Sequence, residues 1–203
     1  MSSDPTYLDR QKEQWGRYLR WMDESGGEEG VVLLPTVLQA HQRMRMYWLA
    51  KRVRGKILEV GCNWGYCLAW VGGHAGVDIS PLPIEVGKLL NPTADLRVGS
   101  AQELPFETKS FDTVMLTEVL EHLEFPGEVF RAVSETCRVA NSRVLVTMPN
   151  GDHDIQDATN MKHRWLADAE HRETVVNMFS PKWVIVTSHV EDDFWMLCMD
   201  REP

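Results

Sequence analysis

The spacing of apolar residues changes character near residue 55. Before it, Leu8, Trp15, Leu19 and Met22 recur at helical intervals, predicting an amphipathic helix within residues 6–24. The run SGGEEG at 25–30 breaks that pattern. A second helix is expected from Thr36, an N-cap following Pro35, to Arg54, with Gly55 ending it. Beyond Gly55 the apolar residues gather into short runs: 56–62, 75–80, 94–99, 111–117, 142–148, 182–188 and 193–199. Helical patterns fall between them at 64–72, 81–90, 126–140 and about 165–178.

Near-continuous apolar strands separated by helices imply a parallel sheet covered on both faces. The last two runs lie too close together for a crossover helix, so they must form an antiparallel hairpin. The expected fold is therefore α/β: a doubly wound, seven-stranded, mostly parallel sheet with an antiparallel last strand, plus N-terminal helices. The expected division is a helical extension over 1–54 and a Rossmann-like domain over 55–203.

Composition narrows the setting. The chain is 43% hydrophobic and 25% charged, ordinary for a globular protein, and no apolar stretch approaches the roughly 18 residues of a membrane span. The start, MSSDPTYLDRQKEQW, shows neither signal-peptide nor transit character, so a cytoplasmic location is expected. Cys62, Cys67, Cys137 and Cys198 have no metal-type spacing and read as reduced, mostly buried thiols. The formal net charge of −9 repels polyphosphate and makes nucleic acid an unfavoured partner.

Candidate chemistry gathers at strand ends. Glu59-Val60-Gly61-Cys62-Asn63-Trp64-Gly65 closes the first strand, and its glycines permit a sharp turn with close approach of backbone to a ligand. It lacks the full GxGxxG spacing of dinucleotide folds. The second strand ends in Asp78-Ile79-Ser80, where a carboxylate can accept both hydroxyls of a ribose. Either Asp78 or Ser80 can instead cap the helix that begins at Pro81; taking Ser80 as the cap leaves Asp78 for the ribose.

From about Lys56 to Arg201 the chain resembles the class I S-adenosylmethionine-dependent methyltransferases. The matching segments are EVGCNWG, GVDIS, GSAQELPFETKSFDTVMLTEVLEHL and RVLVTMPN, in the family's order. The resemblance implies S-adenosylmethionine as cofactor, bound by Glu59 and by the turn of Gly61, Cys62, Asn63 and Gly65, which would pack against its methionine part. Asp78 would take the ribose, Ile79 the adenine face, and Ser100, Ala101 and Gln102 the adenine edge. The stretch Leu116–Glu118, with Thr117 and Glu118 as contacts, would lie under the methionine amino group. Two positions depart from the pattern: Asn63 replaces a frequent glycine while tolerating left-handed backbone, and Ser100 replaces a common aspartate, a stronger acceptor.

For the acceptor side the candidates are Glu118, Glu121 and His122 after the fourth strand, and His163 after the fifth. On a helix the first three would share a face. ExxEH with a later histidine resembles metal-dependent methyltransferases of small-RNA 3′ ends and some ubiquinone-pathway O-methyltransferases. That reading makes Glu118, Glu121, His122 and His163 ligands of magnesium or manganese, and mixed O/N ligation suits manganese better. Alternatively His122 is a general base, or merely shapes the pocket. Among the N-terminal aromatic and basic residues, Arg43, Arg45 or Tyr47 would meet the methionine carboxylate or the acceptor, or simply anchor helices.

The leading functional expectation is methyl transfer to a small-molecule acceptor, most naturally at oxygen. An RNA 3′-terminal 2′-O-methyltransferase and a non-catalytic S-adenosylmethionine-binding protein are the alternatives. Oligomeric state is left open.

Overall fold

Alternation along each strand places apolar side chains on both faces of one sheet. Val114, Leu116, Val144, Val146, Leu197 and Met199 join one core cluster with Val129, Val133, Val175 and Phe179. Met115, Leu145, Met196 and Cys198 join another with Trp48, Leu49 and Cys67. The period of two between these sets is the strand repeat, and covering both faces with helices buries it.

The computed structural model describes residues 40–150, 164–165, 167–179, 181–191 and 194–202. The helix expected in residues 6–24 and the candidate His163 lie outside the described residues. The elements are α1 (Ala40–Ala50), β1 (Ile57–Val60), α2 (Tyr66–Trp70), β2 (Ala75–Asp78), α3 (Pro81–Leu90), β3 (Asp95–Val98) and β4 (Phe111–Thr117). A 3-10 turn (Leu120–His122), α4 (Gly127–Val139), β5 (Ala140–Pro149), α5 (Ala169–Phe179), β6 (Trp183–Glu191) and β7 (Phe194–Arg201) complete them.

The sheet has seven strands in the order β3-β2-β1-β4-β5-β7-β6. All neighbours pair parallel as far as β5, and β7 runs antiparallel to both β5 and β6. This is the doubly wound sheet that the alternation predicts. The last strand in sequence is inserted beside β5, leaving β6 at the edge. Their composition explains the order: β7 is buried along Phe194–Met199, whereas β6 is largely exposed and belongs outside.

Two helix ends differ most from expectation. α1 stops at Ala50 rather than Arg54, because Arg52 and Val53 both turn back to donate to the Leu49 carbonyl. α5 begins at Ala169, where the Asp168 carboxylate accepts the His171 N–H at 2.9 Å. Trp165 stays outside that helix, 4.9 Å from the Phe125 ring, and its indole donates to the Leu123 carbonyl.

Candidate functional site

The order reverses at β1, with β2 on one side and β4 on the other, so a crevice opens at their carboxyl ends. The turn leaving β1 contains three left-handed residues: Gly61 (φ 72°), Asn63 (φ 51°) and Gly65 (φ 80°). A side chain at Gly61 would run into Val119, so glycine is required both for its backbone angle and for its space. Asn63 sustains its angle by accepting the Trp64 N–H on its own Oδ1 at 2.9 Å. Gly61 and Cys62 donate to the Val77 carbonyl, tying the turn to β2.

Asp78 is engaged rather than free. One carboxylate oxygen accepts the Asn63 N–H at 2.9 Å and the other accepts the Ser80 N–H at 2.8 Å. Ser80 occupies the N-cap position of α3, but its side chain makes no capping bond to the helix. Asp78 thus holds both strand-end turns together. Burial raises its pKa, and the Ser80 and Asn63 N–H groups oppose that rise. Ile79 beside it is 58% exposed, an open apolar face at the rim. At the tip of β3, Ser100 Oγ accepts the Gln102 N–H at 3.1 Å, and Gln102 Oε1 accepts from Arg131 Nε at 2.9 Å. The serine hydroxyl therefore shapes this loop. Ala101 packs on the core behind it.

A polar network is buried under the β1 and β4 tips. Thr117 Oγ1 donates to Glu59 Oε1 at 2.8 Å. Burial pushes the Glu59 carboxyl up to about 7, against hydrogen bonds from Thr117 and Cys67 and the charge of Arg45. Burial and the neighbouring Glu59 also lift the Cys67 thiol well above its ordinary range. Arg45, from α1, ion-pairs with Glu118 (Nη1 to Oε1, 3.2 Å) and donates to the Tyr66 hydroxyl at 3.1 Å. Burial works against its charge, but Glu118, Tyr66, Cys67 and Glu59 leave its pKa raised.

Glu118 is a left-handed non-glycine residue (φ 54°). Thr147 holds it from two sides, accepting the Glu118 N–H on its carbonyl at 3.0 Å and donating Oγ1 to Glu118 Oε1 at 2.9 Å. Backbone in that region is costly unless the surroundings fix it, as they do here.

The acceptor-side residues are arranged differently from expectation. Glu118, Glu121 and His122 do not share a helical face: Glu118 leaves β4 in left-handed geometry, and only Leu120–His122 form a short 3-10 turn. Glu121 is fully buried, His122 is partly exposed, and His122 Nε2 lies 4.0 Å from Glu121 Oε1. Among the described residues no three histidine, cysteine or acidic side chains form a group fit for a metal ion. Glu118 is committed to Arg45 and Thr147, so the described members of the expected set do not suit a divalent cation. The Arg164 N–H donates to the Glu121 carbonyl at 2.7 Å, which docks this segment onto the 3-10 turn.

Of the N-terminal candidates, Arg45 enters the network, whereas Tyr47 is exposed with its ring edge-on to Trp70. Tyr66, Cys67 and Thr147 are network members that sequence reading did not single out as site residues. The signal for Arg45 was present: it stands four residues before Leu49, on the buried face of α1. A depression lined by Lys56, His74, Asp95, Arg97, Phe106 and Phe111 lies at the amino edge of the strands, away from this site.

Sequence comparison agrees with this geometry. A family model described as a methyltransferase domain matches residues 58–145. A ubiquinone biosynthesis O-methyltransferase of Xanthomonas oryzae pv. oryzae (strain PXO99A) is 26% identical over 197 residues, covering 81% of this chain and 81% of that protein. Its namesake from Xanthomonas campestris pv. campestris (strain B100) is 28% identical over 141 residues, covering 64% of this chain and 56% of its own length. The chain thus spans about half the length of that relative. Among solved structures, an S-adenosylmethionine-dependent methyltransferase of Thermotoga maritima, described as a possible histamine N-methyltransferase, superposes with TM-score 0.66 at 14% identity. The match covers 93% of this chain and 100% of that one. Residues 58–145 thus resemble a methyltransferase domain, and the fold is that of the solved S-adenosylmethionine-dependent methyltransferase.

Proposed function

We propose that this chain transfers a methyl group from S-adenosylmethionine to an oxygen atom of a small-molecule acceptor. The observation that carries the reading is the joint closure of the β1 and β2 ends. Asp78 bridges the left-handed turn and the start of α3 at the reversal point of the sheet. The relatives named O-methyltransferases support oxygen as the acceptor atom. The formal net charge of −9 favours a small acceptor over a polyphosphate one. Among the described residues, no helix is long and apolar enough to cross a membrane.

The residues fit the cofactor by their chemistry. Gly61 and Gly65 allow backbone to approach it closely, and two accepted N–H bonds leave lone pairs on Asp78 for ribose hydroxyls. Ile79 offers an apolar face, and the Ser100–Gln102 loop offers polar backbone. When bound, S-adenosylmethionine supplies an electrophilic methyl on a positively charged sulfur.

The chain's own part is positioning, exclusion of water and handling of one proton. In-line displacement demands alignment more than any other contribution. The Arg45–Glu118–Thr147 clamp fixes the β4 tip against which the donor is aligned. His122 would serve as the general base that accepts the proton of the acceptor hydroxyl. His122 stands four residues beyond Glu118, β4's left-handed exit, partly exposed beside the buried Glu121.

Calorimetric titration with S-adenosylhomocysteine is expected to show one site per chain. Labelled S-adenosylmethionine offered with a panel of hydroxylated and aminated compounds is expected to place label on oxygen. Binding of a nicotinamide dinucleotide in place of S-adenosylhomocysteine, or label only on nitrogen, would refute the proposal. His122→Gln is expected to lower kcat about 100-fold or more while KM for the donor stays unchanged.

A further inference from the structure

We infer that the outer edge of β6 joins two copies of this chain. Their β6 strands would pair antiparallel about a two-fold axis at Thr187, with Lys182 of each copy meeting Glu191 of the other. Among the described residues β6 is the last strand of the sheet, so one row of its backbone groups faces outward. The sequence Val184-Ile185-Val186 is β-branched, and all three side chains are between 43% and 53% exposed. An apolar, β-branched edge strand of this length is a template for strand addition.

Register supplies the partner. β6 pairs with β7 from Trp183↔Arg201 to Ile185↔Met199 and resumes at Thr187↔Cys198, so Val186 is an extra, bulged residue. The Glu202 N–H donates to the Lys182 carbonyl, extending the ladder to Lys182. Counted along the ladder from Thr187, Ile185 and Ser188 are equally distant, then Val184 and His189, Trp183 and Val190, and finally Lys182 and Glu191. Equal distance from a central residue is the condition for identical strands to pair about a two-fold axis with opposed side chains on one face. Without the bulge, Lys182 and Glu191 would point to opposite faces.

Self-pairing in this register sets opposite charges against each other twice and brings no like charges together. Glu191 already lies 3.5 Å from His189 within its own strand, yet remains 54% exposed and reachable. The edge is separated from the β1, β2 and β4 tips by β5 and β7, so association leaves the site described above open.

Sedimentation equilibrium of the full chain up to about 200 µM is expected to show a dimer. Val184→Lys, at an exposed position, is expected to yield a folded monomer that still binds S-adenosylhomocysteine. Lys182→Glu or Glu191→Lys alone is expected to weaken dimerisation about tenfold, and the double exchange to restore it. A wild type that stays monomeric, pairing instead with another protein or with nothing, overturns the inference. So does a dimer indifferent to Val184→Lys, and failure of the double exchange to restore pairing refutes the register.

Discussion

Arg45 on α1 and Glu118 at the tip of β4 form an ion pair at 3.2 Å, with the arginine side chain only 5% exposed. The pair joins the first described helix to a residue whose backbone is held left-handed. The same guanidinium reaches Tyr66 in α2 and lies 5.1 Å from the Phe194 ring centre, so one side chain locks three elements over the sheet. Thr147 Oγ1 donates to the same Glu118 oxygen, Oε1, that faces Arg45.

Removal of Arg45 should therefore be costly in a way that removal of both partners is not. Arg45→Met is expected to destabilise the fold by about 2–3 kcal/mol, since it leaves a partly buried carboxylate without its cation. Arg45→Met combined with Glu118→Gln should recover part of that loss. Urea denaturation of the four proteins of this cycle measures the coupling. Strictly additive effects would show that the pair contributes only packing.

Alternation made the sheet legible, because burial on both faces leaves few readings for runs such as FDTVMLT and SRVLVTM. The placement of β7 beside β5 was less visible, although the wholly apolar Phe194–Met199 already fits an interior strand better than Trp183–Glu191 does. The site was legible as positions and not as bonds. Asp78 stands where it was expected, but its grip on Asn63 joins residues fifteen apart and has no local signature. Glu118–His122 suggested a helix by spacing; the left-handed exit at Glu118, fixed by Thr147 from a distant strand, cancels that periodicity.

Because Asp78 serves both the turn and the ribose proposed above, its substitution should have two separable effects. Asp78→Asn keeps one acceptor oxygen and loses the other, so one of the Asn63 and Ser80 N–H groups is left unpaired. The expected stability loss is about 1–2 kcal/mol. The loss of charge-assisted bonds to ribose hydroxyls should weaken S-adenosylhomocysteine binding by a further factor of about 10–100. Calorimetry at a temperature where the variant is fully folded isolates the second effect. Unchanged affinity there would remove Asp78 from the cofactor's contacts.

Glu59 ties stability to pH. Its carboxyl titrates near 7 in the folded chain because it is buried, against an ordinary value of 4.5. Between those values the folded state holds a proton that the unfolded state has lost, so stability falls as pH rises through the window and levels off above it. The loss attributable to this one group is about 3 kcal/mol. Glu59→Gln retains an acceptor for Thr117 and removes the titration. It should flatten the stability profile between about pH 4.5 and 7 and leave the variant more stable than the parent at pH 8. Urea midpoints across that range test the slope; an equal slope in both proteins would assign it to another group.

Gly61 and Gly72 share left-handed backbone, with φ values of 72° and 66°, but differ in their surroundings. A Cβ at Gly72 meets nothing within 4 Å, so Gly72→Ala bears only the conformational cost, about 1 kcal/mol. A Cβ at Gly61 collides with Val119 in the chain leaving β4, so Gly61→Ala adds a steric cost and forces the β1 and β4 exits apart. The expected total is about 3 kcal/mol, with S-adenosylhomocysteine binding lost along with the turn. Adding Val119→Ala removes the colliding methyl groups while leaving the left-handed angle as it was. The double variant should regain the steric part of the stability and remain about 1 kcal/mol below the parent, where Gly72→Ala also stands. If Val119→Ala gives no rescue, then the backbone angle alone makes glycine necessary at the centre of this site.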